Sequence, residues 1–194
     1  MGAPAGQYMG ASTFSPYPSS RGYLHITGPE LTDPVDFEAG FFSDPDEVDI
    51  KKCRWAYKKQ REIMRRMDVF RGEMAGYHPP FPKDSPAKCG ETDGPLQDIS
   101  DIQYSVEDDA IIDQWIREHV STTWHSLGTC KMAPLEEKGV VDPRLDVYGI
   151  TALKIADLSV VPKNVGANTA NMAMVIGEKA ADMIIEDLGL RVVR

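Results

Sequence analysis

The chain has little cysteine, no long apolar run, and none of the short glycine motifs that hold nucleotides. Its three cysteines, Cys53, Cys89 and Cys130, are an odd count without a Cys-x-x-Cys pair. That spacing suggests neither a disulfide framework nor a zinc site, and reduced, intracellular thiols are the simplest reading. The apolar runs extend over only a few residues, whereas a bilayer-spanning helix needs roughly 20. No Gly-x-Gly-x-x-Gly or Walker sequence occurs, so the usual cradle for the ADP half of a dinucleotide is not among these residues. No serine or cysteine stands in the elbow or dyad context of a hydrolase nucleophile. Cys130 follows His125 closely, but a tight turn does not readily orient that pair for thiol chemistry.

Met1-Gly-Ala-Pro-Ala-Gly6 lacks the basic and apolar regions of a signal peptide, and glycine at position 6 fails the myristoylation pattern. Arg191-Val-Val-Arg194 does not spell a Ser-Lys-Leu peroxisomal address. An intracellular setting, peroxisomal or cytoplasmic, is the expectation. The net charge of −9 and pI near 4.9 argue against a nucleic-acid or anionic-membrane partner.

What is present is an ordinary globular composition, 42% apolar and 26% charged over 194 residues, enough for one sizeable core or parts of two. Residues 1–20 are rich in Gly, Ala, Ser and Pro and read as a flexible entry segment. Arg21 to Thr27 alternates bulky and polar residues, which predicts a strand closed by Gly28-Pro29. Residues 33–46 show no helical period and read as an ordered surface loop. Asp46-Glu47 then opens a helix to about Met67, with acidic residues first and Lys58, Lys59, Arg61, Arg65 and Arg66 towards its end, as the macrodipole favours. Its sparse apolar stripe is Val48, Cys53, Trp55, Ala56, Ile63, Met64 and Met67, and the basic run reads as a solvated helix end.

Residues 71–103, punctuated by Pro79-Pro80, Pro82, Pro86 and Gly94-Pro95, predict a long irregular connection. Ser105 and Asp108 have capping-box spacing, with aspartate where Glu or Gln is usual. They predict a helix to about Val120 that buries Ile111, Ile112, Trp115 and Ile116. A polar turn at Leu135–Gly139 and short extended pieces near Val140 and Leu153–Ala156 follow. The last helix, about Asn168 to Leu188, spaces Met172, Val175, Ile176, Ala180, Met183 and Ile184 at three and four along one apolar face and should end at Gly189.

Four histidines are present. His25 in a strand and His119 near a helix end read as structural or surface residues, and His78, ahead of two prolines, has no evident partner. His125 differs, with Trp124 before it and small or hydroxyl residues after it. Histidine is the side chain best suited to exchange a proton near neutral pH. No His/Cys cluster accompanies His125 in sequence, so metal ligation is disfavoured and no metal is expected. Asn168 reads as a helix N-cap, which is compatible with facing a ligand at the helix start. The unpaired N–H groups there suit an anion.

The segments Trp124-His-Ser-Leu-Gly-Thr-Cys-Lys-Met132, Val141 to Pro162 and Asn168 to Ala181 occur in an order that resembles the C-terminal part of the glucose-methanol-choline (GMC) flavin oxidoreductases. The wording around His125 is most like the fungal alcohol (methanol) oxidases. The likeness runs from about Ser20 to Leu188. It implies an α+β fold, the C-terminal portion of the GMC architecture without its N-terminal Rossmann-like FAD half. Residues 21–122 would then be part of the substrate-binding domain, and 123–194 a segment returning to the FAD domain.

By the same resemblance His125 and Asn168 are the catalytic pair. Ala156, Asp157, Ser159, Asn168, Thr169 and Ala170 would border FAD. The implied reaction oxidises a small primary alcohol to its aldehyde, with O2 reduced to H2O2. The asparagine at 168 favours the alcohol-oxidase and choline-oxidase side of the family over members with two histidines. A homo-oligomer is expected of the full-length enzyme. These 194 residues alone are expected to hold FAD poorly, and Met172, Val175 and Ile176 to be unusually exposed. The alternative is a truncated, catalytically inactive GMC-like module that binds or assembles with a partner.

Overall fold

The computed structural model describes residues 5–190; Arg191 to Arg194 and the first four residues lie outside the described residues, as does the question of a C-terminal address. Contacts divide the chain into two units. One comprises residues 1–21 and 40–121, the other residues 22–39 and 122–194.

In the first unit, α1 (Val48–Arg65) packs on α2 (Val106–His119). The start of α1 is fixed by the Asp44 carboxylate, which accepts the N–H groups of Val48 and Asp49 and the Ser20 hydroxyl. Residues 5–20 have no helix or strand, yet they are bonded to α1 at several points. Gln60 donates to the Ala11 carbonyl and Lys52 to that of Tyr17. Burial alone would raise the Asp49 carboxyl, but the N–H groups of Ser19 and Ser20 hydrogen-bond it and hold it at about 2.

The exposed and buried faces of α1 differ from expectation. Trp55 and Ile63, assigned to the apolar stripe, are 64% and 65% exposed. The buried residues are Asp49, Ile50, Arg61 and Glu62. The inner face is polar because its charges are paired: Glu62 receives Arg65, Arg66 and the N–H of Ile102. Arg61, expected at a solvated helix end, is buried against Glu73. Ion pairs from Arg54 to Asp113 and from Lys58 to Asp109 lace α1 to α2.

α2 begins as its sequence predicts. The Ser105 hydroxyl accepts the Asp108 N–H at 3.0 Å, and the Asp108 carboxylate accepts the Ser105 N–H at 2.9 Å. Ile112 is fully buried and Ile111, Trp115 and Ile116 are half-buried. Ser105→Ala removes one of the two reciprocal bonds and is expected to cost about 1 kcal/mol, read as a lower urea midpoint. An unchanged midpoint would mean that the cap contributes nothing. Residues 71–103 are irregular apart from a 3-10 turn at Ala75–Tyr77 and an antiparallel bridge between Gly72 and Glu91.

In the second unit, β1 (Tyr23–His25) pairs antiparallel with β2 (Asp36–Glu38) in the register Leu24 to Phe37. β1 falls within the predicted strand. β2 lies where a loop was expected, because three residues, Asp-Phe-Glu, carry too little alternation to announce a strand.

The remainder is built from paired single residues rather than long strands. Met132 bridges Val141, Val141 bridges Val147, and Asp146 bridges Lys154. These crossings bring Val141, Leu145 and Val160 together with Ala180 of α3 (Ala170–Asp187), with Ile176 and Met183 packed beside them. α3 ends in a Schellman arrangement. The N–H of Gly189, at φ 62°, reaches the Glu186 carbonyl, and Leu190 reaches Ile185.

Of the residues expected to be exposed on α3, Val175 is 61% exposed, Met172 is half-buried, and Ile176 packs on the core. Ile184, on the same apolar spacing, is 41% exposed. No described helix is long and apolar enough to cross a membrane.

Candidate active site

The second unit carries the residues singled out above. Trp124 enters the segment in the left-handed region, at φ 57°, with its N–H on the Thr122 hydroxyl. A bulky residue there stores backbone strain of order 1–3 kcal/mol. The indole is 84% exposed, while the next residue, His125, is half-buried.

Beyond His125 the chain runs extended alongside the 3-10 turn Leu158–Val160. The N–H groups of Gly128, Cys130 and Met132 donate to the carbonyls of Leu158, Ser159 and Val160, at 3.3, 2.9 and 2.8 Å. Gly128 is required for this approach: its φ is +85°, and a Cβ there would sit 3.1 Å from the Val161 carbonyl oxygen. The turn is itself capped by Asp157, whose carboxylate accepts the Ser159 N–H at 2.7 Å. The Ser159 hydrogen bonds, from side chain and backbone, hold the Asp157 carboxyl below its ordinary range.

At the start of α3 the Asn168 side-chain carbonyl accepts the Ala170 N–H at 3.0 Å. The capping position proper falls one residue later, on Thr169, whose own side chain makes no cap bond and is buried. Asn168 thus satisfies one of the orphan donors of the helix start from just outside it.

Between these elements lies a cleft of about 400 Å3 lined by Ser126, Leu127, Thr129, Asp157, Leu158, Ser159 and Ala173. The structure therefore brings together the loop after His125, two of the predicted cofactor-bordering residues (Asp157 and Ser159) and the first turn of α3. His125, Ala156, Asn168, Thr169 and Ala170 are not among the lining residues. Ala156, Asn168 and Ala170 are exposed next to the elements that form the cleft.

The donor set fits a flavin. Leu127, Leu158 and Ala173 offer an apolar wall, and the hydroxyl residues Ser126, Thr129 and Ser159 with Asp157 supply polar groups. Ser126, Leu127, Thr129, Leu158 and Ala173 also line the cleft; all five lie within the three motif blocks, but nothing in the sequence singles them out there as site residues.

The sequence model of the GMC oxidoreductase family matches residues 18–177, and the chain belongs to that family, as its C-terminal domain. It is 42% identical to an alcohol oxidase of Pichia angusta, over 96% of this chain and 34% of the relative. It is 31% identical to a choline oxidase of Arthrobacter globiformis, over 85% of this chain and 26% of the relative. The chain thus spans about a third or less of the curated relatives it matches. Among solved structures it resembles a fungal aryl-alcohol oxidase, with TM-score 0.62 and 25% identity over 89% of this chain and 24% of that one. A formate oxidase gives TM-score 0.65 at 23% identity, over 88% of this chain and 26% of that one, a likeness of fold.

Proposed function

We propose that this chain forms the alcohol-binding and proton-handling side of an FAD-dependent oxidase of short primary alcohols. The observation that carries the reading is the cleft at which the His125 loop, the Asp157–Ser159 turn and the start of α3 meet. The 42% identity to an alcohol oxidase supports the substrate class.

His125 takes the hydroxyl proton of the alcohol on an imidazole nitrogen as the α-carbon gives up its hydrogen. Asn168 has its carbonyl engaged by Ala170, which leaves its amide N–H2 group to hydrogen-bond the same alcohol oxygen. Asp157, Ser159 and the residues opening α3, Thr169 and Ala170, border the cofactor, with exposed Ala156 beside them. FAD, when bound, supplies the hydride acceptor and the path of electrons to O2. Leu127 and Leu158 keep water from the reacting carbon.

The test is to join the chain to the FAD-binding half of an alcohol oxidase and follow both products. Aldehyde and H2O2 are expected in equal amounts from a short primary alcohol. The chain purified alone is expected to be colourless. Failure of every short primary alcohol to bleach the flavin under nitrogen, in a fusion that binds it fully, overturns the reading.

A further inference from the structure

A second cluster of chemically capable side chains lies in the first unit, and alcohol oxidation makes no use of it. Glu73, His78 and Cys89 each place one potential ligand atom within 4.8 Å of the other two. The backbone builds this arrangement. Glu73 donates its N–H to the Gly90 carbonyl at 2.9 Å and Thr92 donates to Arg71 at 3.1 Å, so the strand-like pieces at 71–73 and 90–92 lie side by side. His78 returns to them after the 3-10 turn at Ala75–Tyr77. Its Nδ1 is 2.9 Å from the Tyr57 hydroxyl of α1. That bond corrects the expectation that His78 has no partner, and it fixes the ring in the way that metal-bound imidazoles are held through their second nitrogen.

We infer that Glu73, His78 and Cys89 form a site for a zinc-class divalent cation that clips the irregular 71–92 loop to itself. The mixture of thiolate, imidazole and carboxylate suits a borderline-soft ion and is a poor set for calcium or magnesium. A tetrahedral ion with bonds of about 2.0–2.3 Å needs its donors about 3.3–3.8 Å apart. A contraction of about 1 Å closes the cluster, and a water completes the fourth position.

The charged neighbour is Arg61, which binds both Glu73 oxygens and approaches the Cys89 sulfur at 3.5 Å. Its charge opposes a dication. Although it favours the thiolate, burial and the neighbouring Glu73 push the Cys89 thiol up to about 12, so the cation itself must drive off that proton. The Glu73 carboxylate retains lone pairs beyond the two a guanidinium occupies. Binding displaces the thiol proton to solvent, since the thiolate is the ligand. The separations in sequence, between positions 73, 78 and 89, follow no zinc motif, so only the fold reveals the set.

The probe is Zn2+ alone, added to the metal-free 194-residue chain, with Co2+ as a spectroscopic substitute. One Zn2+ per chain is expected, with a near-ultraviolet thiolate-to-cobalt band. Both should be lost in Cys89→Ser and His78→Gln, kept in Cys53→Ser and Cys130→Ser, and lost when the chain is unfolded in urea. Should Cys89→Ser fail to fold, the cobalt band of the native chain and its loss in His78→Gln decide the matter. Absence of uptake, a cobalt complex without the thiolate band, or uptake unchanged in His78→Gln overturns the inference.

Discussion

His125→Ala, made in the chain joined to a FAD-binding half, is expected to slow flavin reduction by alcohol by about 10²–10⁴-fold, the range for a lost general acid or base. The fold should be untouched. His125 is half-buried, and the cleft beside it is organised by backbone bonds from Gly128, Cys130 and Met132, none of which uses the imidazole. Removing the ring therefore deletes a proton acceptor without loosening the loop that carries it. Stopped-flow bleaching of the flavin under nitrogen isolates this step from reoxidation by O2. Asn168→Ala separates the two roles of its side chain. Loss of the bond to the Ala170 N–H should cost about 1 kcal/mol of stability, while the rate of alcohol oxidation falls by more than that loss explains. If His125→Ala reduces flavin at the native rate, His125 is a structural residue of the turn and the proposed chemistry fails.

The features legible in the sequence are those set by neighbours a few residues apart. The α2 capping box needs only Ser105 and Asp108, and the α3 terminus needs only Gly189 and the helix before it. The three motif blocks around His125, Asp157 and Asn168 were readable as blocks. The turn at Gly128-Thr129 also suggests that the chain folds back towards the Asn168 helix start, but the bonds that set the approach, such as Cys130 to Ser159, cross a long stretch of chain and carry no sequence signal. The face of α1 was misread for a related reason. Periodicity assumes that buried means apolar, whereas here Arg61 and Glu62 are inside and Trp55 is outside. Their partners, Glu73, Tyr104 and the Ile102 N–H, belong to the irregular loop and its exit, whose course no period predicts. The sequence shows no partner for His78 because Tyr57 lies on an earlier helix.

Arg61→Met, assayed with a chelator present, is expected to destabilise the first unit by about 3–5 kcal/mol, the cost of leaving one buried charge unpaired. Arg61 and Glu73 have side-chain exposures of only 2% and 10%. The guanidinium grips the carboxylate with Nε and Nη2, at 2.7 and 2.5 Å, and donates from Nη1 to the Tyr104 hydroxyl at 3.2 Å. It also lies over the faces of Phe81, Tyr57 and Tyr104, so it fills the space between α1 and the loop as well as carrying charge. Burial works against that charge, but the Glu73 hydrogen bonds outweigh it and raise the Arg61 pKa further. Burial likewise pushes the Tyr104 hydroxyl up, to about 12, so it stays a neutral partner.

Methionine keeps much of the volume and removes the fork, which leaves the Glu73 carboxylate without its main donor. Arg61→Lys should recover only part of the loss, since an ammonium cannot bind both oxygens in a plane or stack on the rings. The double variant Arg61→Met with Glu73→Leu should return most of it, because an apolar pair imposes no desolvation penalty. Urea unfolding of the native chain, Arg61→Met, Glu73→Leu and the double variant gives the cycle directly. A single-variant loss below about 1 kcal/mol, the level of an exposed ion pair, would show that water reaches this pair and that α1 is held to the loop by its aliphatic contacts instead.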